Sequence, residues 1–236
     1  ASASVPANAL VAAGGRAAPA TADVRVTAID IGSDSNLLSG DFTDSSGTQV
    51  QAYGSVVLSS STALDVVGGQ LLTLQIPLSN RSALTPASAT LYYLDVATGR
   101  WVADGSANLV AGAQPHYTAD VTRFAQWMVG TAITATQTVS GCVLDDAGAP
   151  AANVRIAADG INYSSIAYTT TNAQGQFTLQ LPTSSRTAVQ GRRGAFLTNA
   201  TAVDVQSVPI SLLTCLTIPT TNAATMRLTW GASPSD

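Results

Sequence analysis

Short runs in which apolar and polar positions alternate, each bounded by turn residues, recur along the chain from Asp23 onward. The first is Val24-Arg25-Val26-Thr27-Ala28-Ile29, followed by the turn Asp44-Ser45-Ser46-Gly47 and the run Val56-Val57-Leu58. Further runs cover Leu71 to Pro77, Ala89 to Leu94, Trp101 to Ala103, His116 to Val121 and Gln126 to Gly130, and Ala97-Thr98-Gly99-Arg100 predicts a hairpin turn. Such runs between turn signals mark strands, and no stretch sustains the 3.6-residue period of an amphipathic helix. Thr131 to Thr138, polar and β-branched, reads as an extended connector at a domain boundary. Beyond it lie Val139 to Leu144, Val154 to Ala157, Ser165 to Thr171, Gln176 to Leu181, Ala188 to Gln190 and Pro209 to Ile218. Asp145-Asp146-Ala147-Gly148 and Asn172-Ala173-Gln174-Gly175 are polar, Gly-ended turns between them.

The pattern predicts an all-β chain of two β-sandwich domains in tandem. The expected divisions are 1–22 as tail or linker, 23–136 and 137–221 as the sandwiches, and 222–236 as a C-terminal strand opening a further domain. A length of 236 residues suits two modest domains with separate cores.

Composition strengthens the β reading. All ten basic residues are Arg and all fourteen acidic residues are Asp, so the helix-favouring surface residues Lys and Glu are absent. Charged residues make up 10% of the chain and the net charge is −4, which leaves no basic field to hold a phosphate backbone; nucleic acid is not an expected partner. Apolar runs such as Val56-Val57-Leu58 fall far short of the roughly 20 residues of a membrane-spanning helix. The start, Ala1 to Ala22, is rich in Ala and lacks the charged and apolar regions of a signal peptide, so it reads as a mature N-terminus or linker. With no core of its own, that tail is expected to order against its own domains or a neighbouring chain. Cys142 and Cys215 fit one disulfide in an oxidising compartment. Two buried free thiols are the alternative, and a pair is too few for a structural zinc site.

The second segment resembles the carboxypeptidase regulatory-like family, a transthyretin-like or prealbumin-like sandwich. The resemblance rests on Val139-Ser140-Gly141-Cys142-Val143-Leu144-Asp145-Asp146-Ala147-Gly148-Ala149-Pro150-Ala151-Ala152-Asn153-Val154 and on Thr169-Thr170-Thr171-Asn172-Ala173-Gln174-Gly175-Gln176-Phe177. It implies a spacer, adhesion or accessory domain. The first segment resembles the ZU5-like β domain of large bacterial surface proteins and lipoproteins, through Leu38-Ser39-Gly40-Asp41-Phe42, Tyr53-Gly54-Ser55-Val56, the stretch Leu91 to Val102, and Tyr117 to Trp127. Some relatives of that fold cleave themselves at a His-Phe-Ser step. Here the matching positions are Arg123-Phe124-Ala125, which supply neither the nucleophile nor the base.

Candidate chemistry is sparse. His116 is the single histidine, in Gln114-Pro115-His116-Tyr117, and no Gly-x-Ser-x-Gly elbow accompanies it; it reads as a surface loop residue. One imidazole cannot supply a usual metal set, and Asp145-Asp146 lacks the oxygen spacing of a calcium loop. No catalytic residue, metal ligand or cofactor is therefore expected. Trp101 and Trp127 are expected in the core, whereas Tyr92 and Tyr93, as strand neighbours, face opposite sides and offer one exposed ring as a ligand-binding aromatic. Arg192-Arg193 reads as a solvated basic spot in a Gly-flanked loop. The sequons at Asn80, Asn162 and Asn199 are expected to be unmodified.

The expectation is a non-catalytic structural or interaction module of a secreted or surface-anchored bacterial protein, not an enzyme. It would self-assemble into adhesive or filament-like structures by contacting other protein chains, copies of itself included, through the tail 1–22 and strand 222–236. The alternative is a polysaccharide-binding or accessory module of an extracellular hydrolase, which requires an exposed aromatic row.

Overall fold

A computed structural model describes residues 1–14 and 21–220. The chain is all-β. Its N-terminal part holds β1 (Ser2–Ser4), β2 (Leu10–Ala12), β3 (Val24–Ile29), β4 (Val50–Ser60), β5 (Leu64–Val66), β6 (Leu72–Pro77), β7 (Ser88–Asp95), β8 (Arg100–Val110), β9 (His116–Val121) and β10 (Gln126–Ala132). Eight of these form one antiparallel sheet in the order β1-β6-β9-β8-β7-β10-β4-β3, and β2 pairs with β5 beside it. In β6, Leu72, Leu74 and Ile76 point inward while Thr73 and Gln75 point out, the alternation read from the sequence.

That sheet closes over its own core through β8. The first residues of β8 pair with β7 and its last, Asn108 to Val110, pair with β9. Within the pairing to β7, which runs from Arg100 to Asn108, the register shifts opposite Leu91, and Gly105 takes a φ of 107°, a bulge that bends the strand. The two halves then meet closely: a Cβ on Gly54 of β4 would lie 2.4 Å from the Pro77 carbonyl oxygen, so only glycine fits. Trp127, Tyr117, Tyr53, Leu74, Ile76 and Leu91 fill the space between.

The C-terminal part holds β11 (Thr136–Asp145), β12 (Arg155–Gly160), β13 (Ile166–Thr170), β14 (Gln176–Pro182), β15 (Ser185–Arg193), β16 (Phe196–Leu197), β17 (Thr201–Val205), β18 (Ile210–Ser211) and β19 (Leu216–Ile218). One layer pairs β14 with β11, and β18 and β19 lie parallel along the other edge of β11. The second layer runs β13-β12-β15, with β16 and β17 both on β15. Val139, Val143, Ile156, Ala158, Leu179 and Leu181 pack between the layers. Cys142 and Cys215 form a disulfide that fastens the link between β18 and β19 to β11. Pro209 to Ile218 is thus two short strands and not one run, because its middle is held by the cross-link instead of by a ladder.

Two expectations about the ends and the junction change. Within the 1–22 tail, β1 adds to β6 and β2 to β5, so the described tail pairs with its own sheet system. The segment 222–236 lies outside the described residues. The connector shortens to residues 133–135, since Thr131 and Ala132 continue β10 against β4, and Thr136 to Thr138 begin β11 against β14.

The cores are not separate. A third buried cluster unites Ile31, Phe42, Val50, Tyr92, Trp101 and Met128 of the N-terminal part with Ile166 of β13. Polar contacts line the same seam. Ala52 N–H donates to the Ser164 carbonyl at 2.9 Å, Gln49 Nε2 to Ser165 Oγ at 2.9 Å, and Arg81 N–H to Ser164 Oγ at 3.0 Å. The Arg81 guanidinium donates to Asp159 Oδ1 at 2.8 Å, to the Gly160 carbonyl at 2.6 Å and, through Nε, to the Gly32 carbonyl at 3.1 Å. A guanidinium whose donors are this well matched repays its desolvation.

Candidate functional site

The aromatic residues singled out from the sequence do not form a platform. Tyr92 is buried in the shared cluster, and Tyr93 is half-buried, packed edge-on to Trp127 with centroids 5.9 Å apart and covered by the Arg123 guanidinium 4.2 Å from its ring centre. Neither is exposed, because the strand face opposite the N-terminal core is itself covered at the seam. Tyr92 and Tyr93 are therefore packing residues, and Trp101 and Trp127 are fully buried as expected. His116 opens β9, with its Nδ1 3.0 Å from the Gln114 carbonyl oxygen. Asp145 Oδ1 accepts the backbone N–H groups of Ala147 and Ala149, a turn role.

Two surface features stand out. The first is the outer edge of β3, the last strand of the large sheet, which has no strand partner on that side among the described residues. At six residues it is twice as long as β1 at the opposite edge, carries no Pro, and bears one charge, Arg25. Protected edges are short, charged or interrupted by Pro; β3 has little of this protection. At its C-terminal end Asp30 accepts hydrogen bonds from Ser79 Oγ at 2.5 Å and from the Ser33 N–H at 3.2 Å, which hold its carboxyl below the usual range.

The second is the outer face of the β13-β12-β15 layer. Strand pairing sets Thr170, Arg155 and Arg192 in one row, with Leu197 of β16 beyond Arg192; Tyr168, Ala157 and Gln190 form the next row, and Ile166, Asp159 and Ala188 the third. The small side chains of Ala157 and Ala188 leave a groove of about 560 Å³ over the middle of the sheet, and Asn36 of the N-terminal part stands on its wall. Arg155 stacks on the Tyr168 ring at 4.1 Å from the centroid, and Arg192 Nε donates to the Gly194 carbonyl at 2.9 Å. Burial pushes the Tyr168 hydroxyl above its ordinary value, opposed by the positive charge of Arg155. Sequence reasoning placed Arg192 and Arg193 in a loop, but both belong to the end of β15. The alternation Arg155-Ile156-Ala157-Ala158 already marks Arg155 as outward; what one strand could not show is that Arg192 lies opposite it.

Groups of three or more metal-ligating side chains are absent among the described residues, and so is any helix long and apolar enough to cross a membrane. Neither protein-family models nor curated protein sequences give a match to this chain.

Proposed function

We propose that the chain is a non-catalytic structural and interaction module of a secreted or surface-anchored bacterial protein, and that it joins other chains by strand pairing. The observation that carries this reading is the outer edge of β3, which has no strand partner among the described residues and presents a row of backbone donors and acceptors that can extend the sheet. Three further features support it. The disulfide suits an oxidising compartment. The seam through Arg81 and Ile166 makes the two sheet systems one block, able to transmit load. The resemblance to carboxypeptidase regulatory-like and ZU5-like domains carries the same implication of a surface spacer or adhesion module.

The donor strand is read from the sequence of 222–236, where Met226, Leu228 and Trp230 alternate with Arg227 and Thr229. The described part of the tail is already paired within its own sheet system, so the donor role is assigned to the segment 222–236 on its sequence alone. Sedimentation velocity across a concentration series tests this. The full chain should associate, and both the Thr27→Lys/Ala28→Lys variant and a chain ending at residue 220 should stay monomeric. A full chain that remains monomeric throughout, or an edge variant that associates like the wild type, overturns the reading.

A further inference from the structure

We propose that the face bearing Arg155, Tyr168, Gln190 and Arg192 binds a carboxylate-bearing saccharide, with the carboxylate seated between the two guanidiniums. Like charges directly opposite on neighbouring strands repel, and Arg155 and Arg192 are such a pair. Neither has a carboxylate within ion-pair distance among the described residues. Of the carboxylates whose charge reaches Tyr168, Asp159 is two rows of the ladder away and is taken by Arg81 at 2.8 Å, Asp41 is paired with Arg100 at 3.4 Å, and Asp34 accepts from the Asn36 N–H and side-chain amide. The protein nevertheless holds both guanidiniums in place. The Tyr168 ring supports one and the Gly194 carbonyl fixes the Nε of the other, so their terminal N–H groups remain for an external anion. Two forked donors carried at opposed positions of neighbouring strands can both turn their terminal N–H groups to the planar, two-oxygen geometry of a carboxylate.

The rest of the groove selects the kind of molecule that carries the anion. Gln190 donates its amide nitrogen to the Thr198 carbonyl at 2.9 Å, which leaves its amide oxygen to accept from a hydroxyl. Asn36 also lines the groove, and because its amide nitrogen donates to Asp34 Oδ1 at 2.9 Å, its amide oxygen is left as a second acceptor. The floor is Ala157 and Ala188, flat and without obstruction, and the space of about 560 Å³ admits a short stretch of sugar rings. An acidic peptide fits less well. Peptides are recognised largely through their backbones at a sheet edge, whereas β12 and β15, which carry the two arginines, are paired on both sides and the layer's edge lies at β13, beyond Tyr168. The groove is independent of the β3 edge, so the two proposals stand or fall separately.

Calorimetric titration of the full chain with tri-galacturonic acid tests the site, with a neutral galacto-oligosaccharide of the same length and oligo-glutamate as the other arms. The acidic saccharide should bind saturably, and the neutral one roughly tenfold or more weaker, the loss expected for charge-assisted hydrogen bonds. Arg155→Gln and Arg192→Gln should each weaken binding by about the same factor. Arg192→Lys keeps the charge but loses the fork, and it should weaken binding as well, with the thermal midpoint unchanged because the side chain is exposed. If the Gln variants fail to fold, the Lys variant carries the comparison. Absence of saturable binding, wild-type affinity in the Arg155→Gln/Arg192→Gln protein, or oligo-glutamate binding as tightly as the saccharide overturns the proposal. The Thr27→Lys/Ala28→Lys edge variant should bind the saccharide normally, which separates this result from the assembly test.

Discussion

Around Trp127 the N-terminal sheet system gathers Tyr53, Tyr93 and Tyr117, whereas between β11 and β12 the buried residues are mostly Val, Leu, Ile and Ala, with Phe177 the one buried ring of the cluster and Phe196 half-buried against it. The contrast extends to cross-links. The aromatic core has no disulfide, and the aliphatic one is tied by Cys142–Cys215, which closes a separation of 73 residues. Each large ring buries about 150–250 Å² on folding, so a core rich in rings gains more per residue than one of short aliphatic chains. A small sandwich without them gains the difference by restricting its unfolded chain. The two halves thus reach stability from opposite sides, one by burial in the folded state and one by constraint on the unfolded state.

This comparison can be broken most severely at Trp127. Trp127→Ala should cost about 3–5 kcal/mol through lost burial and the cavity left behind. Chemical denaturation followed by near-UV circular dichroism checks it, and a loss below about 1 kcal/mol would remove the aromatic half of the contrast. Next is the cross-link. Cys142→Ala/Cys215→Ala should lose about 4 kcal/mol in the chain-entropy model, seen as a lower denaturant midpoint and a larger m-value as the unfolded chain expands. An unchanged midpoint would mean that the aliphatic core stands without its tie.

At the seam, Arg81→Met strands Asp159 and the Gly160 carbonyl. Because the Arg81 and Asp159 side chains are 18% and 31% exposed, the cost should be only about 1–2 kcal/mol. Hydrogen exchange should show it as faster opening at Ser164 and Ser165 before the cores of either half respond.

The smallest effect is in alkali. Desolvation pushes the Tyr117 hydroxyl, which donates to the Pro86 carbonyl at 2.7 Å, up to about 12, and does the same for Tyr163, bonded to Thr187 Oγ1 at 3.0 Å. Both groups stay protonated longer in the folded chain than in the unfolded one. Their contribution is full below the ordinary value of 10.0 and is lost as pH rises through about 12. Tyr163→Phe should flatten that decline for its own half at a cost of about 1 kcal/mol at neutral pH, measured as urea midpoints against pH.

Much of the strand framework was legible because its signal is local. Val24–Ile29 and His116–Val121 coincide with the runs read from alternation, and the turn residues at Ala97-Thr98-Gly99-Arg100 fall where β7 gives way to β8. Ser2–Ser4, Leu10–Ala12 and Leu64–Val66 were not legible, since three residues with few large side chains carry no period. The seam escaped for a different reason. Nothing around Ile166 or Arg81 in the sequence distinguishes a residue facing its own core from one facing the other half, and the same ambiguity underlies the expectation that one ring of the Tyr92 and Tyr93 pair is exposed. The arginine face was half-visible: Arg155 and Tyr168 alternate outward on their own strands, but their meeting with Arg192 depends on the β12–β15 register, which no single run encodes.

The account centres on a shared core that makes two unlike halves one cooperative block, and differential scanning calorimetry of the disulfide-intact chain tests this most directly. The prediction is a single transition with equal calorimetric and van't Hoff enthalpies, shifted as a whole by Trp127→Ala. Two resolved transitions in the wild type, with only one of them moved by Trp127→Ala, would contradict it.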